Sequence, residues 1–340
     1  MTVKLLNLLI KDDKKINNPL YSSGPYWQHK NKRTISQIKK KSLKNFRGMD
    51  TGIGTSFSDN LVCDIRNEYN LKGQFISSFY SLPIIKKVFD QQIELTKNSI
   101  LRFLRYQKIL FQDNERVNYL LKKFKFNETT TFGCVQKFIY KKKYVSTHYI
   151  EMANRVDNLS KFFNFSNIER YFEIGGGFGA NIHFLLQNFP NIKKVIYLDS
   201  VPNIYIGTEY LRKFYKKNII DYQQTKKMKE IKFMKNKKIE IFCIAPWQIE
   251  KCSDYIDHFH NAASFVEMPK EIVSNYIKHV KRLKTKDISL ISYLEFDDKT
   301  TFNPIKLKKL FKKTLKTCYY SYVIDKLNLK NIYIVGKKIY

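Results

Sequence analysis

Closely spaced glycines in the middle of the chain carry its clearest chemical signal. Residues 170–180 read RYFEIGGGFGA, an apolar run that breaks into glycines before a helical pattern begins. Such a turn exposes backbone N–H groups to a ligand, in front of a helix N-terminus. Asp199 ends the next apolar run, at the spacing of an acidic residue that binds ribose hydroxyls. The pattern predicts a nucleotide-type cofactor, with Gly175, Gly177 and Gly179 shaping the loop.

Glu173 separates the two cofactors that use such a turn, a nicotinamide dinucleotide and S-adenosylmethionine. A carboxylate near the end of a buried strand costs several kcal/mol unless a partner offsets the loss of water. A pyrophosphate would repel this carboxylate, whereas the ammonium and sulfonium groups of S-adenosylmethionine would attract it. In the alternative interpretation, Glu173 only accepts hydrogen bonds from loop amides. We therefore predict S-adenosylmethionine as the cofactor.

Two further stretches extend the pattern beyond the glycine turn. Residues 171–180, together with 190–202, resemble the core of a class I S-adenosylmethionine-dependent methyltransferase. Residues 261–268, NAASFVEM, resemble a motif of a bacterial sugar O-methyltransferase family. The resemblance covers roughly residues 145–340. It implies methyl transfer to a sugar hydroxyl during assembly of a cell-surface glycan, with an acceptor that is free, nucleotide-linked or lipid-linked.

The elements that must position these residues alternate in type along the second half of the chain. Predicted strands occupy residues 169–174, 193–198, 239–244, 255–262 and 288–296, with helices between them, and residues 319–324 and 331–335 follow as two further strands. Because only a brief polar turn joins the last two, they must be antiparallel. The sequence thus predicts an α/β fold, with a Rossmann-like, mostly parallel sheet whose last strand is antiparallel, as in class I methyltransferases.

Ligands of open α/β sheets bind outside the carboxyl ends of the strands. Trp247 follows the third predicted strand, where it either stacks on the adenine or anchors the loop in the core. Asn261 and Ser264 follow the fourth. We predict a cofactor site that comprises Glu173, Gly175, Gly177, Gly179, Asp199, Trp247, Asn261 and Ser264.

Methyl transfer to a hydroxyl requires a general base near the acceptor. Glu267, just past the fourth strand, is the first candidate, because related O-methyltransferases place acid–base residues there. Its alternative role is to orient the following helix. His260 is the second candidate, and it shares a strand face with His258 because alternate residues point the same way. Adjacent acids at positions 297–298 are more typical of a turn than of a cation site, so no metal is predicted.

The first 145 residues follow a different pattern. A three-to-four spacing of apolar residues over 83–121 predicts long helices. We therefore expect a mainly helical N-terminal region, residues 1–145, that caps the substrate cleft or forms a homodimer, and a methyltransferase domain, residues 146–340. Within the polar first 60 residues, the aromatic residues of segment 25–27 need packing partners.

Composition constrains the partners and the compartment. The net charge of +32 comes from 62 basic and 30 acidic residues. The basic residues are mostly lysines, whereas base recognition favours arginine, so no specific nucleic acid is expected. Five cysteines lack metal-ligand spacing, and no signal peptide or apolar stretch of about 20 residues is present, which predicts a cytoplasmic protein.

Three other functions compete with this interpretation. A nucleic-acid (RNA) methyltransferase would use the basic surface, but residues 261–268 form no DPPY-type tetrad and contain no Pro-Cys nucleophile. A methyltransferase of another small molecule would share the same cofactor site. The glycines, Glu173 and Asp199 argue against a scaffold without activity, because such a protein needs no cofactor site.

Overall fold

The structure is a computed structural model that describes residues 3–43, 46–48, 114–134, 138–140, 143–293, 309, 317–324 and 330–337. The helices are α1 (Lys4–Asp13), α2 (Pro25–Lys41), α3 (Asn114–Lys123), α4 (Thr147–Leu159), α5 (Ala180–Asn188), α6 (Asn203–Tyr215), α7 (Tyr222–Thr225) and α8 (Lys270–Arg282). The strands are β1 (Phe138–Tyr140), β2 (Lys143–Val145), β3 (Arg170–Ile174), β4 (Lys194–Leu198), β5 (Ile219–Ile220), β6 (Glu240–Ile244), β7 (His258–Ala262), β8 (Asp287–Tyr293), β9 (Thr317–Ile324) and β10 (Lys330–Lys337).

Eight strands form one sheet in the order β5-β6-β4-β3-β7-β8-β10-β9. Neighbouring strands from β5 to β8 are parallel, whereas β10 is antiparallel to both β8 and β9. This is the class I methyltransferase order with one additional edge strand, so the predicted fold class is confirmed. Strand β5 was not predicted, because two residues are too few to show a periodicity.

Successive residues of β3 point to opposite faces of the sheet. Phe172 and Ile174 belong to a large buried cluster that includes the apolar side of α8. The intervening Tyr171 and Glu173 therefore point to the opposite face. All five residues of β4 and of β6 are buried, as expected for central strands of a parallel sheet.

The chain divides into two compact units, residues 1–41 with 152–340 and residues 42–151. The predicted division placed residues 1–41 with the remainder of the N-terminal region instead. Contacts of α1 explain the difference: Leu5, Leu6 and Leu9 are buried, and Asp12 Oδ2 accepts hydrogen bonds from Tyr222 (3.0 Å) and Lys226 (2.6 Å). The first two helices therefore belong to the unit that contains the large sheet.

The second unit contains α3 and the hairpin of β1 and β2. Its buried Arg47 donates hydrogen bonds to the Thr130 carbonyl (2.9 Å) and to Ser146 Oγ (2.7 Å). Most of the predicted helical stretch 83–121 lies outside the described residues, as do positions 297–298. Helix α3 covers the end of that stretch.

Candidate functional site

Four loops lie at the same edge of the sheet because they follow the carboxyl ends of neighbouring parallel strands. They are residues 175–179 after β3, 199–200 after β4, 245–247 after β6 and 263–268 after β7. Every predicted site residue except Glu173, Asn261 and His260 lies on one of these loops, and those three lie on β3 or β7 close to its end. The topology thus gathers the predicted residues at one edge.

The glycine loop has a backbone that only glycine adopts readily. Gly175, Gly177 and Gly179 have φ angles of +73°, +62° and +83°. A Cβ atom at position 175 would also lie 2.1 Å from Ser264 Oγ, inside van der Waals contact. Gly179 directly precedes α5, whose unpaired N–H groups therefore face the same edge.

Glu173 is a buried carboxylate whose two oxygens differ in their contacts. It is 2% exposed, and its Oε1 accepts a hydrogen bond from Asn181 Nδ2 at 3.0 Å. Its Oε2 is buried without a hydrogen-bond partner among the described residues. Burial raises the pKa of Glu173 to about 8, nearby Asp199 adds to the increase, and Asn181 and Arg155 oppose it. A cationic ligand group would supply the partner that this oxygen lacks.

Asp199 supports the glycine loop. Its Oδ2 accepts a hydrogen bond from Gly177 N (2.8 Å) and its Oδ1 accepts one from Ser200 N (2.7 Å). Burial raises the pKa of Asp199 to about 7, although these hydrogen bonds favour the charged form. Ser200 Oγ also lies 3.5 Å from Oδ1, and the Asn203 side chain is a further donor, so the protein itself engages both carboxylate oxygens. Contact with ribose hydroxyls stays a prediction for this residue.

Asn261 and Ser264 make hydrogen bonds that support the start of the glycine loop. Asn261 is 1% exposed and donates to the Ile174 carbonyl (2.8 Å) and to Ser264 Oγ (2.5 Å), while its Oδ1 accepts from Phe265 N (3.1 Å). These contacts satisfy the amide within the protein. The structure thus shows a supporting role for the pair, and direct cofactor contact stays a prediction.

Trp247 has the contacts of an anchor. It lies in a 3-10 helix, Pro246–Lys251, and its indole N–H donates to the Tyr222 hydroxyl at 3.3 Å. The two rings meet edge to face at 5.9 Å, and Trp247 packs against the main core. Stacking on an adenine stays a prediction for this residue.

Glu267, the first candidate base, has a partner that sequence reasoning missed. This half-buried carboxylate accepts a hydrogen bond at Oε2 from Trp27 Nε1, at 2.7 Å. Burial raises the pKa of Glu267 to about 7, while the Trp27 hydrogen bond and the charge of Lys30 act to lower it. The only sequence signal for Trp27 was an aromatic segment in a polar region.

His260, the second candidate base, lies within a buried polar cluster. Its Nδ1 and the Nε2 of His258 are each 2.7 Å from Ser289 Oγ, which confirms that the two histidines share a face. Burial lowers the pKa of His260, and His258 and Arg155 lower it further, so the ring is neutral. In sheet register His260 lies beside Glu173.

The described residues contain no cluster of three or more His, Cys, Asp or Glu side chains that could hold a metal ion.

Also within the described part of the chain, none of the helices has the length and apolar character needed to span a bilayer.

No protein-family model and no curated protein matches the sequence. Among solved structures, magnesium protoporphyrin IX methyltransferase from Synechocystis PCC 6803 is 11% identical, with 56% of this chain and 80% of that chain covered and a TM-score of 0.39. The N-terminal domain of EvdMO1 is 12% identical, with 67% and 97% covered and a TM-score of 0.38. The mitomycin 7-O-methyltransferase MmcR is 12% identical, with 56% of each chain covered and a TM-score of 0.37. At these scores the similarity carries no argument about activity, and the fold assignment rests on the strand order.

Proposed function

We propose that the chain is an S-adenosylmethionine-dependent O-methyltransferase that methylates a sugar hydroxyl in the biosynthesis of a surface glycan. The observation that carries the cofactor assignment is the Oε2 of Glu173, which has no hydrogen-bond partner among the residues that the structure describes and is buried beside a loop with the backbone conformation of glycine. The sugar acceptor is supported by the resemblance of residues 261–268. A cytoplasmic location and a capping or dimerising role for the N-terminal region belong to the same proposal.

The charge of the site favours this cofactor over a dinucleotide. Glu173 and Asp199 are both buried at the loop, and burial raises the pKa of each carboxyl group, while Asp199 raises the pKa of Glu173 further. A pyrophosphate would add negative charge beside them, whereas an ammonium group would offset the desolvation of Glu173. We assign the amino acid tail to Glu173 and the glycine loop, and the ribose hydroxyls to Asp199. When bound, S-adenosylmethionine supplies an electrophilic methyl group on a sulfonium.

Glu267 is the proposed general base. Its Oε2 is held by Trp27, and its Oε1 makes no hydrogen bond to any residue that the structure describes. We assign to Oε1 the proton that leaves the acceptor hydroxyl as the oxygen takes up the methyl group. A pKa of about 7 suits this role, since an effective base has a pKa near the working pH. His260 is less suited, because Ser289 engages its Nδ1 and burial disfavours its cationic form.

Isothermal titration calorimetry tests the cofactor assignment directly. We expect S-adenosylmethionine and S-adenosylhomocysteine to bind with micromolar dissociation constants, and NADH not to bind. The absence of heat with both sulfur compounds would refute the proposal. Incubating a cell lysate with the protein and methyl-labelled cofactor then identifies the acceptor: label in a glycan fraction supports the sugar assignment, whereas label in RNA or in a small-molecule fraction replaces it.

A further inference from the structure

The N-terminal segment packs directly onto the loop that carries the candidate base. At Gly24 an added Cβ atom would lie 2.8 Å from Pro269 Cδ and 3.4 Å from the Glu267 carbonyl oxygen, so the two backbones are close. One turn further along α2, Trp27 donates its indole N–H to Glu267 Oε2 at 2.7 Å. The start of α2 therefore lies against the loop that carries the candidate base.

We propose that Trp27 is a positioning residue for catalysis, which fixes the Glu267 carboxylate and directs its Oε1 toward the acceptor hydroxyl. This inference rests on the proposed function of Glu267 as the base. Indole is a donor only, so Trp27 cannot itself accept a proton. By occupying Oε2 it leaves one oxygen for proton transfer.

Neighbouring side chains hold the indole in a defined orientation. The Tyr26 ring meets the Trp27 ring edge to face, with centroids 5.5 Å apart. Lys30, one turn later on α2, places its ammonium 5.2 Å from the Trp27 ring centroid and 3.7 Å from that of Tyr26. Because the ring is held by these contacts, the hydrogen bond to Glu267 has a fixed geometry.

The same contacts tune the proton affinity of the base. Burial favours the neutral form of Glu267, whereas the Trp27 hydrogen bond and the Lys30 charge favour the carboxylate. Among the residues that the structure describes, Lys30 on α2 is the charged group that acts on this carboxylate. A hydrogen bond that stabilises only the charged form lowers a pKa, so its removal must raise the pKa of Glu267.

Tryptophan fluorescence tests the contact without any acceptor. The chain has two tryptophans, so Trp247→Phe leaves Trp27 as the single reporter. In this background we expect Trp27 emission to change between pH 5 and pH 9 with a midpoint near pH 7. Glu267→Gln should abolish this transition, and Lys30→Met should move its midpoint to a higher pH. Emission that does not change with pH, or a transition that persists with Glu267→Gln, would overturn the contact.

The pH dependence of methyl transfer tests the catalytic part, using the lysate fraction that accepts label. Trp27→Phe should move the acid limb of the rate profile upward by about one pH unit, a tenfold change in proton affinity. Tyr26→Phe, which keeps its ring, is the matched control and should leave the limb in place. Both variants should bind S-adenosylhomocysteine like the wild type. An unmoved acid limb in Trp27→Phe would reduce Trp27 to a packing role and overturn the proposal, whereas a wild type that binds no S-adenosylhomocysteine would refute the proposed function instead.

Discussion

Replacing Glu173 with glutamine should stabilise the protein near neutral pH and weaken the proposed cofactor site. In the wild type, burial raises the pKa of this carboxyl group from 4.5 to about 8. Ionisation is therefore easier in the unfolded chain, and an acid with a raised native pKa loses stability as the pH rises from its unfolded to its folded pKa. Glutamine has the same shape but does not ionise, so this loss should vanish.

The magnitude follows from the two pKa values. Proton linkage between 4.5 in the unfolded chain and about 8 in the folded protein gives a wild-type stability loss of about 3 kcal/mol between pH 5 and pH 7.5. The glutamine carbonyl oxygen can keep the hydrogen bond from Asn181. Its amide nitrogen takes the position of the unpaired oxygen, at a penalty of about 1–3 kcal/mol that does not depend on pH. The change with pH in the stability difference between variant and wild type is therefore better defined than the difference at any single pH.

Urea denaturation of both proteins at pH 5 and pH 7.5 measures this change. We expect the free energy of unfolding of Glu173→Gln, relative to wild type, to increase by about 3 kcal/mol from the lower to the higher pH. Glu169→Gln is the matched control, because Glu169 is exposed immediately before the same strand. A difference that stays constant with pH would show that Glu173 is ionised in the folded protein and would refute the reasoning.

The substitution that stabilises the protein, Glu173→Gln, should weaken cofactor binding. If only ionised Glu173 holds the ammonium group, wild-type affinity for S-adenosylhomocysteine should rise about 50-fold from pH 6 to pH 8, for a pKa of about 8. The Glu173→Gln variant should bind at least about tenfold more weakly at pH 8, because a hydrogen bond to a charged group is worth roughly 1.5–3 kcal/mol. Calorimetry at several pH values checks both. Equal affinity in the variant would remove Glu173 from the cofactor site.

Two further predictions concern other buried charges. Asp199→Ala should lower the affinity for S-adenosylhomocysteine by about 1–3 kcal/mol in calorimetry, because ribose hydroxyls and Gly177 N lose their acceptor; an unchanged affinity would place the ribose elsewhere. Lys194→Met should lower the free energy of unfolding by about 3–5 kcal/mol in urea, since Lys194 is 2% exposed and pairs with Glu240 at 2.8 Å. Half-buried Lys193→Met, the control, should change it by about 0.5 kcal/mol or less. Equal effects of the two lysine substitutions would contradict the buried-pair argument.

Local signals along the chain were enough to predict the sheet. Apolar runs, the glycine turn and the brief turn before β10 each depend on neighbouring residues, and the strands were found within three residues of their observed starts. Strand β5 was missed because it is only two residues long. The apolar side of α1 does not indicate which unit it packs against, so the grouping of residues 1–41 with the large sheet could not be predicted from the sequence.

The sequence by itself determined the fold class and the edge of the sheet at which the predicted site residues lie, because strand periodicity and turn chemistry are encoded over short stretches. Only the tertiary structure decided which of those side chains are already engaged. Asn261 is satisfied within the protein, whereas one oxygen of Glu173 has no hydrogen-bond partner in the described part of the chain. The contact between Trp27 and Glu267 joins residues 240 positions apart, and only the packing of α2 against the loop after β7 brings donor and acceptor together.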